Sequence, residues 1–196
     1  MKKKLVIGFA FAVFLFSSCA SKPKFQGKGD LCGMIIDENN HPVKDFVVVC
    51  NAKGVSAQII RPVATNESGI FVFYDVPSGN YSLSGEKKNY MKLSDTDYRF
   101  DDRTKIICLQ VKSFKAAIEN AEELIRLGEK KEAIKILDSI SCERKSTESL
   151  IIQAHKFFTA ESDKERKSAA AKFKKSVSHG PAILTEYSQK LLEVVK

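Results

Sequence analysis

The sequence is poor in the residues and motifs that build catalytic and metal-binding sites. It has only three histidines, His41, His155 and His179, at none of the spacings that zinc hydrolases use. It has neither a glycine-rich phosphate-binding loop nor a Gly-x-Ser-x-Gly nucleophile elbow. We therefore expect no catalytic residues, no metal ion and no cofactor, and we expect the histidines to have turn, capping or solvated roles.

The apolar run near the N-terminus is too short to cross a membrane. Residues 5–16 form an unbroken apolar stretch of twelve residues, whereas a membrane-spanning helix needs about 20. Three lysines at positions 2–4 precede the stretch, and Ser17 and Ser18 follow it. A basic start, a short apolar run and small residues before a cleavage point are typical of a secretory signal peptide. We predict that residues 1–18 are a leader that is removed on export.

The cysteine after this leader indicates a lipid anchor. Ser17, Ser18 and Cys19 resemble the end of a bacterial lipobox, although Phe16 stands where that motif usually has leucine. The resemblance implies that Cys19 carries a diacylglycerol and that two or three acyl chains anchor the protein stably to a membrane. Because no aspartate follows Cys19, the outer membrane of a bacterial envelope is slightly favoured. The alternative is an ordinary secretory signal with an incidental cysteine.

Charge and the polar N-terminal segment are compatible with an exported protein. The sequence has 32 basic and 24 acidic residues, and loss of the three leader lysines lowers the formal charge from +8 to +5. We interpret this excess as surface solvation or attraction to anionic head groups, and not as nucleic-acid binding, because exported proteins rarely meet nucleic acid. Residues 19–29 are polar and have no apolar periodicity, so we predict a flexible tether that reaches about 35 Å when extended.

Four more cysteines follow Cys19, and they permit disulfides. Four cysteines outside the cytoplasm allow three pairings. Cys32, Cys50 and Cys108 fall on predicted strands, so at most one bridge can form among them, and its pairing stays open; Cys142 is the fourth. Reduced thiols that pack as small apolar groups are the alternative. The sequence places no base beside these residues, so we expect no nucleophilic cysteine.

Residues 30–111 have the pattern of a small antiparallel β-sandwich. Short stretches rich in β-branched and aromatic residues alternate with turn clusters. In one of them Phe71 and Phe73 share one face of the strand, and the residues between them lie on the other. Short strands at this spacing indicate a sandwich. The predicted strands are 31–36, 43–50, 57–64, 70–74, 80–84 and 105–111, and the predicted turns are 37–42, 65–69 and 75–79.

This region resembles the carboxypeptidase regulatory-like family, whose fold is a transthyretin-like β-sandwich. The most specific part is T-N-x-x-G-x-F-x-F-x-x-V-P-x-G-x-Y-x-L at residues 65–83, in which Asn66 replaces the family's usual aspartate. Members are generally noncatalytic modules attached to enzymes, transporters or adhesive surface proteins, so the resemblance implies structure or binding and not peptidase activity. The matching residues are Gly33, Asp37, His41, Pro42, Val43, Val47, Val49, Thr65, Asn66, Gly69, Phe71, Phe73, Val76, Pro77, Gly79, Tyr81, Leu83 and Tyr90.

From Ser113 onwards the pattern becomes helical. Ala117, Ala121 and Leu124 form one apolar stripe, and Ala133 begins another. We therefore predict an α+β protein of two domains, in which residues 113–196 form an all-α region of helical hairpins with its own core. The predicted helices are 113–127, 130–141, 147–160, 164–178 and 181–195.

The helical region also resembles tetratricopeptide repeats. Gly128 would end the first helix of a repeat and Ala133 would pack in the second, as at the central turn of that family. Ala169 and Phe173 repeat the spacing of Ala133 and Leu137 some 36 residues later, close to the family's period of about 34. A plain bundle of helical hairpins is the alternative. Two repeats would give a shallow groove lined by their first helices.

The sequence thus predicts a noncatalytic, membrane-anchored envelope lipoprotein that serves as a binding or scaffold module for a protein partner. In this interpretation the sandwich is a rigid spacer or recognition module, and the helices contact the partner. The alternative is an envelope enzyme such as a peptidase, or an accessory subunit of one.

Overall fold

The computed structural model describes residues 25–54 and 60–177. The predicted leader, Cys19, His179 and the predicted helix at 181–195 lie outside these residues. The described residues combine strands and helices, as the sequence predicts. The strands are β1 (Lys28–Ile36), β2 (Val47–Ala52), β3 (Val63–Ala64), β4 (Ile70–Pro77), β5 (Gly79–Glu86), β6 (Tyr90–Met91), β7 (Leu93–Phe100), β8 (Ile107–Gln110) and β9 (Ile140–Ser141); the helices are α1 (Phe114–Arg126), α2 (Lys130–Ser139), α3 (Thr147–Thr159) and α4 (Asp163–Val177).

Most of the strands belong to two sheets. One sheet has the order β4-β1-β8, and the other has the order β3-β2-β5-β7. Neighbouring strands are antiparallel except β1 and β8, which run parallel with Gly33 opposite Ile107. The prediction of a purely antiparallel sandwich is therefore wrong for this pair. The reason is that the chain crosses from one sheet to the other between β7 and β8 and enters β8 in the direction of β1.

The two sheets enclose one apolar core, as in a β-sandwich. Alternate residues of a strand point to opposite faces, so β1 contributes Leu31 and Ile35 to the core and β4 contributes Phe71 and Phe73. The outward Tyr74 is 73% exposed. The predicted period-two pattern of β4 is thus confirmed. The other buried core residues are Val43, Phe46, Val48, Cys50, Val76, Tyr81, Leu83, Phe100, Ile107 and Val111.

The sequence patterns miss β7 and make one turn too long. β7 pairs with β5, with Gly79 opposite Phe100, yet it is absent from the predicted strands. Its inward side has only a few apolar residues, such as Tyr98, and its outward residues are polar or charged. The turn predicted at 75–79 is shorter in the structure, because β4 extends to Pro77 and β5 begins at Gly79, with Ser78 between them.

The predicted strands 43–50 and 57–64 are shorter in the structure. Val43 and Phe46 are buried, but Asp45 between them has a φ of 53°, which lies outside the extended region. β2 therefore begins only after this bend. β3 contains just the last two residues of the second predicted strand, and residues 55–59 lie outside the described ranges.

The tether is shorter than the predicted range 19–29. The Phe25 N–H donates to the Asp101 carbonyl at 3.1 Å, and the Phe25 ring packs edge-on against Phe100 with 5.5 Å between centroids. β1 already begins at Lys28. The chain is therefore part of the sandwich from Phe25 onwards. The prediction fails because this single aromatic residue packs on the core although its sequence neighbours are polar.

The helices follow the predicted boundaries closely and form two hairpins. α1 packs on α2, and α3 packs on α4. The hydroxyls of Ser113 and Ser146 accept hydrogen bonds from the backbone of the first turns of α1 and α3. Gly128 follows α1 with a φ of 82°, and its N–H donates to the Ile125 carbonyl at 3.1 Å, as in a Schellman cap. None of the helices among the described residues is long and apolar enough to cross a membrane.

The two hairpins have the same spacing along the chain. The first residue of α3 lies 33 residues after that of α1, and the first residue of α4 lies 33 residues after that of α2. The predicted alignment of Ala133 with Ala169 gives 36 residues. Ala133 is the fourth residue of α2, whereas Ala169 is the seventh residue of α4. The three additional residues at the start of α4 are helical, and they account for the difference between 33 and 36.

A short two-stranded sheet joins the sandwich to the helices. β6, from the segment between β5 and β7, pairs with β9, which lies between α2 and α3. Met91 of β6 packs on the helical cluster that contains Ala117 and Ala121. The Ser113 N–H and hydroxyl both donate to the Glu38 carboxylate, at 2.8 and 2.6 Å. The apolar clusters of the two parts are separate, so these contacts couple them.

Candidate functional site

The two histidines that the structure describes, His41 and His155, lie in different parts of the fold. The His41 N–H donates to Asp37 Oδ1 at 2.8 Å in the turn after β1, and its Nδ1 lies 3.5 Å from Asp37 Oδ2. His155 lies on α3, where its Nε2 is 3.4 Å from Glu122 Oε1. His179 lies outside the described residues. Within residues 25–54 and 60–177, no group of three or more His, Cys, Asp or Glu side chains is placed to hold a metal ion.

Cys32, Cys50, Cys108 and Cys142 are free thiols in the part of the chain that the structure describes, so none of the disulfides that the sequence permits is present among them. Cys50 points into the sandwich core, and burial raises the pKa of its thiol to about 12. Cys32 and Cys108 lie on the outer face of the three-stranded sheet. Cys50 thus faces the core, whereas Cys32 and Cys108 face away from it. Cys50 is therefore not placed to form a disulfide with either of them. Its packing matches the alternative of a buried apolar thiol.

The residues that carry the family resemblance stabilise the turns of the sandwich. The Thr65 hydroxyl donates to the Val43 carbonyl at 2.6 Å and accepts from the Phe46 N–H at 2.9 Å. Asn66 Oδ1 accepts from two backbone N–H groups of the next turn, each at 3.0 Å. Gly69 has a φ of 71°, and a Cβ atom there would lie 2.5 Å from the Ile35 carbonyl. These three residues stabilise the turns of the sandwich.

A groove of about 500 Å³ lies between α2, α3 and α4. Its volume falls in the range of about 300–1,000 Å³ that ligand-binding clefts occupy. Ile134, Ala160 and Ala169 contribute apolar surface. The polar and charged residues that line it are Asp138, Gln153, Lys156, Ser162, Lys164, Glu165, Ser168 and Lys172.

Two of the acidic groups in this groove are already engaged. Asp138 forms an ion pair with Lys156 between α2 and α3. Glu165 forms a capping box at the start of α4, in which the Ser162 N–H donates to Glu165 Oε2 and the Glu165 N–H donates to Ser162 Oγ, both at 3.2 Å. The hydrogen bond from the Ser162 backbone lowers the pKa of Glu165. This carboxylate is therefore ionised and held at the helix terminus.

The other polar groups of the groove have unused binding capacity. In the part of the chain that the structure describes, neither Lys164 nor Lys172 has a carboxylate partner. The Gln153 side-chain oxygen is buried and accepts no hydrogen bond from the described residues. A buried acceptor without a donor costs about 1–3 kcal/mol. A ligand N–H would remove this cost, and a negatively charged group would interact favourably with the two lysines.

The sequence predicts a groove in the helical region but places it on other helices. We expected the first helix of each hairpin, α1 and α3, to line it, whereas the observed groove involves α3 with both second helices. Its position depends on how one hairpin stacks on the next, which residue periodicity does not specify. The available signals were the lysines of α4 and the polar Gln153 within an otherwise apolar part of α3.

Comparisons with known proteins do not identify a family. No protein-family model matches the sequence, and no curated protein matches it. The TIE protein of Bacillus anthracis is 21% identical with a TM-score of 0.38, over 44% of this chain and 17% of that protein. The pilus 2b backbone protein of group B streptococcus is 16% identical with a TM-score of 0.38, over 43% of this chain and 41% of that one. An (S)-allantoin synthase is 11% identical with a TM-score of 0.32, over 46% of this chain and 42% of the enzyme.

This chain spans less than half the length of each of these three proteins. Their names include a pilus component and an enzyme. At these identities and TM-scores the similarities indicate neither a shared family nor a shared activity.

Proposed function

We propose that the protein is a noncatalytic envelope lipoprotein whose groove between α2, α3 and α4 binds an acidic segment of a protein partner. The observation that carries this proposal is a groove in which Lys164, Lys172 and the buried oxygen of Gln153 have no partner among residues 25–54 and 60–177. A peptide can supply both complementary groups, because its backbone N–H can donate to Gln153 and an acidic side chain can pair with a lysine. Most small anions could pair with a lysine but have no N–H group that could donate to Gln153.

The remaining parts of the chain have supporting roles in this proposal. The leader and the diacylglycerol on Cys19 would place the protein on a bacterial envelope membrane, with the outer membrane favoured. The sandwich, in the manner of carboxypeptidase regulatory-like modules, would be a rigid spacer. The repeated start spacing of the helices and the Gly128 cap support a tetratricopeptide-like arrangement of the hairpins.

Charge reversal in the groove tests the binding proposal. A photoreactive amino acid at Ser168 should crosslink the partner in intact cells. Lys172→Glu and Lys164→Glu should each weaken binding about tenfold, because each turns an attraction into a repulsion. The yield of the crosslinked product is the measurement.

Lys115→Glu is the matched control, since Lys115 lies on α1 outside the groove and its side chain is 86% exposed. An equal yield from the control and both groove variants would show that the partner binds elsewhere.

The lipid anchor has its own test. Cys19→Ser should abolish lipidation and move the protein from the detergent phase to the aqueous phase on phase partitioning, because the acyl chains supply the membrane affinity. Mass spectrometry of the purified protein would detect the acyl groups directly. Identical partitioning of the variant and the parent would refute the anchor.

A further inference from the structure

The start of the sandwich is held by three kinds of contact. The Phe25 N–H bonds to the Asp101 carbonyl at 3.1 Å, and the Ser78 N–H donates to the Gly27 carbonyl at 2.7 Å. The Phe25 ring packs on Phe100, and the Arg103 guanidinium lies over the Phe25 ring, 4.8 Å from its centroid. The position of Phe25 is therefore fixed relative to the sheets.

Few residues separate this fixed point from the proposed lipid. Only residues 20–24 lie between Cys19 and Phe25. Whatever conformation these residues adopt, six steps of the chain can span at most about 22 Å. Phe25 must then lie within that distance of the acyl attachment point.

The helices lie at the opposite end of the sandwich. β1 runs away from Phe25 over nine residues, a length of about 26–30 Å. β8 runs parallel to β1 and ends beside Ile36. The chain then enters α1, whose cap Ser113 is bound to Glu38 just after β1. Phe25 and the first helix therefore lie at opposite ends of β1.

The residues around Phe25 also suit a phospholipid surface. Lys28, Arg103 and Lys105 are exposed at or near this end of the sandwich. Carboxylates lie at the same end: Asp101 is paired with Arg99 at 3.0 Å, and Asp102 accepts hydrogen bonds from Thr104 at 2.9 and 2.7 Å. Asp30 and Asp75 are exposed nearby. Exposed cations close to an anchored chain interact favourably with phosphate groups of lipids.

We propose that the end of the sandwich formed by Phe25, the Ser78 turn and the loop of residues 101–105 rests against the lipid head groups. The sandwich then holds the helical groove at the far side, away from the membrane. This inference rests on the proposed function, because it requires the lipid on Cys19.

Energy transfer from single tryptophans to a membrane dye tests this orientation. The chain has no tryptophan, so each introduced one is a unique donor. Thr104→Trp places it at the proposed membrane end, and Asn39→Trp places it in the exposed turn after β1. The lipidated full-length variants are reconstituted in phosphatidylcholine and phosphatidylglycerol vesicles that carry a dansyl group on the lipid head.

We expect severalfold more efficient transfer from position 104 than from position 39. Lys105→Trp and Leu127→Trp form a second pair with the same expected order, which guards against a local effect of one substitution. An insertion of about 20 Gly and Ser residues between Lys24 and Phe25, with a root-mean-square span of roughly 25 Å, should remove most of the difference.

The outcomes separate the two proposals. Variants that fail to float with the vesicles refute the lipid anchor, and the orientation with it. Variants that float but transfer equally from both ends refute the orientation alone. A difference between the ends that disappears on lengthening the linker supports the contact with the lipid surface.

Discussion

At the scale of single residues, the sandwich depends on two aromatic rings of β4. Phe71 and Phe73 are 1% and 2% exposed, and their rings pack edge-to-face with 5.7 Å between centroids. Phe71→Ala or Phe73→Ala should lower the free energy of unfolding by about 3–5 kcal/mol, because each leaves a cavity that the core fills only in part. Urea denaturation gives the measurement. Tyr74→Ala is the control, since that ring is 73% exposed; equal losses in all three variants would contradict the core assignment.

Gly33 shows a residue role that the sequence did not reveal. A Cβ atom at this position would lie 2.1 Å from Cζ of Phe71, so the absence of a side chain makes space for the ring. The family resemblance includes Gly33 but gives no reason for it. The reason depends on the register of β1 against β4, which places Gly33 opposite Phe71. Register arises from the paired strands and cannot be obtained from one strand's pattern.

At the scale of secondary structure elements, the cap of α1 is coupled to the turn after β1. Burial raises the pKa of Glu38, but the hydrogen bonds from Ser113 outweigh it and lower the pKa below the ordinary value of 4.5. The folded state thus favours the carboxylate. The stabilisation is complete above pH 4.5 and is lost as the pH falls through the lower pKa of the folded state.

Glu38→Gln should therefore destabilise the protein at neutral pH by about 1–2 kcal/mol, since it removes a charged acceptor from two hydrogen bonds. The difference in unfolding free energy between Glu38→Gln and the parent protein should become smaller at acid pH, where the parent's carboxylate is protonated. Urea midpoints measured between neutral pH and pH values below 4.5 would show both effects. Glu67→Gln provides the control, because that side chain is 80% exposed. A difference in unfolding free energy between variant and parent that does not change with pH would exclude the proposed role of the carboxylate.

Helices were easier to predict than strands for a physical reason. Each described helix combines a stripe of small and apolar residues with a start or stop signal such as Ser146 or Gly128, and these signals are local. β7 has Asp95 and Asp97 on its outward side, which dilute the apolar signal. β6 and β9 have two residues each, and only the approach of the sandwich to the helices produces them. The groove could not be predicted from local signals either, because it forms only where α2, α3 and α4 come together.

At the scale of the whole molecule, the helical region contacts the sandwich through β6 and the residue that follows it. Met91 packs on the helical cluster, and its N–H and that of Lys92 donate to the carbonyls of Lys112 and Ser139, each at 2.8 Å. An isolated fragment of residues 113–196 should still show helical circular dichroism, but it should be about 1–3 kcal/mol less stable than the same helices in the full chain. Hydrogen exchange of α1 and α2 amides in both would measure this. Equal protection would mean that the helices form an independent domain.

The parallel pairing of β1 and β8 has a mechanical consequence. If the anchor pulls on Phe25 while a bound partner pulls on the helices beyond Val111, the two strands are drawn in opposite directions along their length. The backbone hydrogen bonds between Gly33 and Ile36 on one strand and Ile107 and Gln110 on the other are then loaded in shear. They share the force and must break together, whereas strands pulled apart from one end separate one bond at a time. Paired in this way, β1 and β8 would resist a force applied between Phe25 and the helices more strongly than strands that are pulled apart from one end.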